Sequence, residues 1–203
     1  MLFLMAFVLW TLLLRFVDVR AIGPLGSRVG FAAINGFVHK LTGVNLSLYV
    51  ATDWLGLIPI GIALAFGILG LAQWIKRKRF WAVDRDILAL GIFYTVVMTV
   101  FVFFEFVVVN YRPVLIDGIL EASYPSSTTM LAMCVLPTAM MQMNTRIKNI
   151  TIRRCVALLI LAFTAFMVVG RILSGVHWIT DIIGGAMFST GLIFVYSAYV
   201  KKK

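Results

Sequence analysis

Charge is scarce in this chain. Only 13% of its residues are Asp, Glu, Lys or Arg, where a soluble globular domain has about 25%. So few charges cannot wet a closed surface, which excludes an ordinary water-soluble domain. Cysteine is limited to Cys134, inside an apolar run, and Cys155, at the start of another. Two such thiols give no disulfide framework and no metal-ligand spacing, and they read as packed core residues. There is no internal repeat and no low-complexity linker. The N-terminus lacks the basic start and small-residue cleavage site of a signal peptide, so the apolar stretch from Met1 to Leu14 reads as a retained first span.

What the chain does have is apolar length. Of its 203 residues 62% are hydrophobic, with a mean hydropathy of +1.03. A membrane span takes about 20 mostly apolar residues, so there is room for about six. The expected fold is therefore all-α: a polytopic membrane protein of six transmembrane helices, folded as one integral membrane domain over residues 1–203. The runs fall at about 1–16, 54–75, 87–110, 126–143, 156–173 and 179–200. Between the first two lies a mixed stretch. Within it Ser27 to Leu41 suits an amphipathic helix in the membrane interface, with Phe31, Ile34, Phe37, Val38 and Leu41 near one face.

The net charge of +10 does not point to nucleic acid. The basic residues sit in short runs beside apolar segments, as the positive-inside rule expects. With Lys76-Arg77-Lys78-Arg79 placed in the cytoplasm, six spans put twelve of the eighteen Lys and Arg on that side, including Arg85, Arg146, Lys148, Arg153, Arg154 and Lys201 to Lys203. Both termini are then cytoplasmic, and the loops around Arg112 and His177 face outward from the plasma membrane.

Those outward loops carry the chemistry. One reads Asn110-Tyr111-Arg112-Pro113 and, after Glu121, Ser123-Tyr124-Pro125-Ser126-Ser127-Thr128. The other runs from Gly170-Arg171 through Ser174, His177 and Asp181. An ionisable residue within a span is a functional candidate by default. Here two arginines, a histidine, an aspartate and a serine pair share one membrane depth. The arginine forks fit phosphate oxygens. Ser126 and Ser127 open a span whose free N–H groups and dipole favour an anion. His177 and Asp181 are four residues apart, so on one helical face they can touch. A carboxylate on one imidazole nitrogen fixes the tautomer and frees the other nitrogen as nucleophile or base.

These segments resemble the type-2 phosphatidic acid phosphatase superfamily, which includes the vanadium haloperoxidases. Its pattern is Lys-x6-Arg-Pro, then Pro-Ser-Gly-His, then Ser-Arg-x5-His-x3-Asp. Arg112-Pro113, Pro125-Ser126-Ser127-Thr128, and Arg171, His177 and Asp181 fall on these blocks in order, and the resemblance is strongest over residues 50–200. It implies a lipid phosphate or pyrophosphate phosphatase, of the kind that acts on undecaprenyl pyrophosphate. His177 would form a phosphohistidine and Asp181 would orient it. Arg112, Arg171, Ser126 and Ser127 would hold the phosphoryl oxygens. Membrane lipids would be the partners, and neither metal nor other cofactor is called for.

Three positions depart from that pattern. Gly170 replaces a serine, Thr128 replaces the histidine that protonates the leaving group, and Glu105 replaces the phosphate-binding lysine. General-acid help is worth about 10²–10⁴ in rate, and threonine is too weak an acid to give it. A lipid pyrophosphate, whose leaving group is a weak base, would tolerate the loss. Two other outcomes are transfer of a phospho-headgroup, with Glu105 holding a cation such as choline or ethanolamine, and a weak or inactive protein that only binds lipid phosphate. Burial would raise the pKa of Glu105 and make it an acid, or it would pair with Arg112 or Arg171. His39, the other histidine, is an interfacial residue or a substitute acid. Asp117, Glu121, Asp84 and Asp86 read as solvated loop charges, and Asp53 as the start of the second span.

Overall fold

The computed structural model describes residues 1–201 as helices joined by short loops. The helices are α1 (Leu2–Phe16), α2 (Ala32–Thr42), α3 (Leu46–Leu55), α4 (Leu57–Arg77), α5 (Arg85–Phe106), α6 (Ser127–Arg146), α7 (Ile150–Ser174) and α8 (Ile179–Lys201). Four segments are long and apolar enough to cross a membrane: α3 with α4, α5, α7 and α8. This is an integral membrane protein by that measure, with four such spans among the described residues; of the six expected, the helices α1 and α6 do not meet it. Helix α1 has only 15 residues. Helix α6 has 20 residues but carries Thr128, Thr129, Thr138, Gln142 and Arg146. Its composition follows from its place, because α4, α5, α7 and α8 all pack on it and it meets protein rather than lipid. On the outside, Leu158, Leu159 and Leu161 of α7 are 65–70% exposed, a surface that only hydrocarbon can cover well.

The core lies between α1, α5, α6 and α8, where Phe7, Leu90, Phe93, Val97, Met130 and Phe188 interlock. A smaller cluster of Ala132, Leu136 and Met167 joins α6 to α7. The expected spans agree with the helices to within about four residues, except at the fifth, where α7 begins six residues early at Ile150, and at the second. There the helix starts at Leu46, because the Asn45 side chain accepts a hydrogen bond from the Leu48 amide at 2.9 Å. The resulting 32-residue segment is about 48 Å long, well beyond a hydrocarbon core of about 30 Å. Its first turns, α3, therefore stand at the polar end of the bundle and pack on the end of α7.

The bundle has two polar ends. Arg77, Arg85, Arg146, Arg153 and Arg154 lie at one, where α4 and α6 finish and α5 and α7 begin. The other is made by the ends of α5 and α7 and the starts of α6 and α8. Asp84 and Asp86, read as free loop charges, are paired at the first end: Arg77 Nη1 lies 2.7 Å from Asp84 and Arg146 Nη2 lies 3.2 Å from Asp86. The hydrogen bond from Arg77 holds the Asp84 carboxyl below its usual range.

Candidate functional site

The long loop between α5 and α6 is a small hairpin. Asp117 and Gly118 both have positive φ at its tip, the backbone a tight hairpin turn requires. Its base is closed by Arg112 N–H to the Glu121 carbonyl at 3.0 Å and Ser123 N–H to the Asn110 carbonyl at 2.9 Å. This pairing brings Asn110, Arg112 and Ser123, separated in sequence, to one edge.

Opposite them the chain turns from α7 into α8. Gly175 ends α7 with φ +65°, and a Cβ there would lie 1.8 Å from the Gly43 carbonyl oxygen, so only glycine fits. His177 sits in this turn and Asp181 in the first turn of α8. They do not share a helical face, as their spacing suggested. Asp181 instead turns back and accepts the Trp178 amide at 3.0 Å, fixing the helix start. Its Oδ2 is 4.0 Å from His177 Nδ1, too far for a hydrogen bond.

Ser123 fills that gap. Its Oγ donates to Asp181 Oδ2 at 2.5 Å and lies 3.0 Å from His177 Nδ1. The Ser123 carbonyl oxygen is 3.1 Å from the same nitrogen. Asn110 Nδ2 donates to the other carboxylate oxygen at 3.0 Å. With Ser123 O–H directed to Asp181, only an N–H on Nδ1 satisfies both Ser123 oxygens. Nε2 is then left with its lone pair, 3.5 Å from Arg112 Nη1. Burial, followed by the Arg112 and Arg171 guanidiniums, holds the His177 pKa well below 6.5. That direction favours the neutral imidazole.

Both arginines are buried, Arg112 to 9% and Arg171 to 1% exposure, and both lie against the ring of Tyr49 at 5.6 and 4.9 Å. Arg171 also donates to Thr52 Oγ1 at 3.2 Å and Asp53 Oδ1 at 3.3 Å. Arg112 Nε is 2.9 Å from Glu121 Oε2, at an angle that leaves it without a true hydrogen bond, and Arg171 Nε has no partner. The Arg171 Nε–H is thus a buried guanidinium donor with no partner among the described residues. Asp53 and Glu121 hold these arginines, contrary to the reading of one as a span start and the other as a solvated charge.

Arg112, Ser123, Ser127 and His177 line one small cavity with Glu105. Its volume, about 20 Å³, takes roughly one water, so a phosphoryl group must widen it. Ser126 is fully buried behind, its Oγ accepting from Thr129 at 3.0 Å. Thr128 is buried and outside the cavity lining, as is Arg171. Glu105 differs from expectation: it is exposed, not buried, and among the described residues it pairs with neither arginine, both of which have other carboxylates. His39 packs on Trp178 at 5.5 Å between ring centres, and burial lowers its pKa. It shares a second, narrow cleft with His177. Gly170 lies where α3 crosses, and a Cβ there would come 2.8 Å from Thr52 Cγ2.

Sequence reasoning gave no role to Tyr49, Asn110 or Ser123. Ser123 stands two residues before Pro125 in a quoted motif, which is the one signal that pointed to it. Tyr49 had none, because its helix was read as mixed interfacial chain.

Over residues 87–203, more than half of the chain, the sequence matches the PAP2 superfamily. No curated protein sequence matches. The fold is similar to the crystal structure of the first transmembrane PAP2 type phosphatidylglycerolphosphate phosphatase from Bacillus subtilis. The TM-score is 0.63 at 17% identity, over 98% of this chain and 94% of that one.

Proposed function

The chain belongs to the PAP2 superfamily, and from that premise we propose that it is a membrane lipid phosphatase working through a phosphohistidine at His177. The observation that carries this is the relay from Asp181 through Ser123 to Nδ1, which leaves the Nε2 lone pair facing Arg112 Nη1 at 3.5 Å. Nε2 attacks phosphorus, the N–P bond forms and the P–O bond to the leaving group breaks. Water then attacks phosphorus, the N–P bond breaks and inorganic phosphate departs. Arg112, the Ser127 hydroxyl and the free amides at the start of α6 stabilise the equatorial oxygens. Arg171 adds charge from behind Tyr49.

A lipid substrate suits the surroundings. Between α4 and α5 runs a groove of about 840 Å³ lined by Leu64, Gly67, Leu71, Leu90, Val97 and Met98 among others. Its upper edge at Val97 is one helical turn below Phe101, which lines the phosphate cavity. A chain lying in the groove therefore presents its headgroup to His177. We assign the active end to the extracytoplasmic face, since the other end carries most of the basic residues.

The test is phosphate release by purified protein in detergent from a lipid pyrophosphate and a lipid monophosphate. Release that vanishes in His177→Ala, is faster from the pyrophosphate, and rises on the monophosphate in Thr128→His is the expected result. Undiminished release from His177→Ala would rule the mechanism out. Release from neither substrate, even in Thr128→His, would leave a lipid-phosphate-binding protein instead.

A further inference from the structure

The groove between α4 and α5 has two mouths. One lies toward the phosphate cavity. The other opens between Trp74 and Phe80, among the basic residues where α4 finishes and α5 begins. Its α4 wall runs from Ile60 to Trp74, about 21 Å at about 1.5 Å per residue. One leaflet supplies about 15 Å of hydrocarbon. A chain held from the site end therefore leaves the basic-end half of the groove to another occupant. Side chains leave that half open. A Cβ placed on Gly67 or Gly91 meets nothing within 4 Å, and Leu71, Val83 and Ile87 line the rest. Left empty, such a space forfeits the dispersion contacts of its lining.

The mouth of this half is aromatic and cationic. The chain leaves α4 at Lys78, whose φ of +55° ends the helix. It then turns Phe80 back edge-on to Trp74, with ring centres 6.0 Å apart. Trp81 beside them is 86% exposed, the setting of a tryptophan at headgroup level. This end has two acidic side chains, Asp84 and Asp86, and both are taken, by Arg77 and Arg146. Lys76, Lys78, Arg79 and Arg85 are exposed, and among the described residues none of them is in an ion pair. Four uncompensated cations thus flank an apolar slot. The complementary molecule is an anion carried on hydrocarbon chains.

We propose that the basic-end half of this groove is a binding site for an anionic phospholipid that is not a substrate. Its chains lie against Gly67, Leu71, Ile87 and Gly91, and its phosphodiester meets Lys78, Arg79 and Arg85. The lipid completes the seam between α4 and α5 that side chains leave open. A basic run alone is drawn to any anionic surface, whereas the slot behind this one makes a site for a single molecule. The site uses no group of the phosphate cavity, so it stands apart from the phosphatase reading.

The experiment measures lipid retention by the full chain purified in detergent, by native mass spectrometry, with thermal melts alongside. Dioleoylphosphatidylserine and dioleoylphosphatidylcholine share their chains, and neither has a terminal phosphate. Wild type should retain the serine lipid with a preference of about tenfold or more and melt at higher temperature in its presence. Lys78→Ala combined with Arg79→Ala should remove that preference. Gly91→Leu, which fills the slot, should lower retention several-fold with the charges intact. Arg171→Ala, at the site end, should leave retention unchanged. Each variant is read against its own lipid-free melt, which separates loss of binding from loss of fold. Equal retention of the two lipids, a preference that survives the double substitution, or full retention by Gly91→Leu overturns the proposal. A loss in Arg171→Ala as large as in the double variant also overturns it, by placing the lipid at the phosphate cavity. Excess glycerophosphoserine, the same headgroup without chains, should not displace the lipid, and displacement would mean a headgroup contact with no seat in the groove.

Discussion

Both polar ends of the bundle hold arginine–carboxylate pairs, and those of Arg112 and Arg171 at the site end are built differently from those of Arg77 and Arg146 at the basic end. At the basic end Arg77 and Arg146 are 42% and 37% exposed, with partners at 39% and 21%. At the site end the side chains of Arg112 and Arg171 are 11% and 1% exposed, while Glu121 and Asp53 are 39% and 58% exposed. An exposed pair is screened on both sides and contributes little. A buried arginine with an exposed partner is another matter, because taking a guanidinium out of water costs several kcal/mol and one wet carboxylate repays only part. Pairs of the first kind clip helix ends together. Pairs of the second kind leave buried cations only partly compensated.

Substitutions at matched positions can break this comparison. Arg171→Ala should lower kcat/KM on a lipid phosphate by about 10²–10³-fold, the usual cost of losing one preorganised charge on a transition state. Arg146→Ala, at the other end, should leave it unchanged. Equal losses from both would mean that burial does not mark function here.

Ser123→Ala tests the relay. Without the bridging hydroxyl, the 4.0 Å separation of His177 from Asp181 leaves the ring poorly oriented. A fall of about 10²-fold in kcat with KM nearly unchanged is expected. Ser123→Thr, which keeps the hydroxyl, should restore most of it, whereas a rise in KM alone would make Ser123 a substrate contact.

The pH profile sharpens the electrostatic side. The reactive form of His177 is neutral, and burial with two guanidiniums lowers its pKa below 6.5. As pH falls through 6.5, kcat/KM should therefore hold, and it should drop only at more acid values. Arg112→Gln, whatever its effect on rate, should move that acid limb upward. An unmoved limb would exclude Arg112 as a cause.

The smallest effect belongs to the basic end. Arg77→Ala should change stability by no more than about 1 kcal/mol, since its pair with Asp84 is exposed. Asp84, whose carboxyl is held low, supplies its share above the usual carboxylate range and loses it only as pH falls below that range. Thermal melts in detergent should differ between wild type and Arg77→Ala at pH 7, and the difference should shrink as the pH is taken below the usual carboxylate range.

Much of this was legible in the residue order. Apolar runs against basic stops located α4, α5, α7 and α8, because membrane burial imposes a length and composition that no soluble helix needs. The arginine, serine and histidine blocks marked the site end, because buried ionisable groups are too costly to be scattered at random. Helix α3 was not legible: its start depends on one Asn45 cap, and its Tyr49, Thr52 and Asp53 look like ordinary interfacial residues until α7 is seen beside them. Asp53 and Glu121 were misassigned for the same reason, since a carboxylate's partner is a matter of distance and not of spacing along the chain.

The sequence by itself determined that this chain suits a membrane, where most of its helices run, and which residues are candidates for the chemistry. Those follow from hydrophobic length and from local residue identity. Only the tertiary structure decided how the chemistry is wired: Ser123 between His177 and Asp181, Tyr49 beneath two arginines, and Glu105 unpaired at the cavity wall. These contacts join a hairpin, a helix stub and three helix ends, and their distances exist only once the bundle has closed.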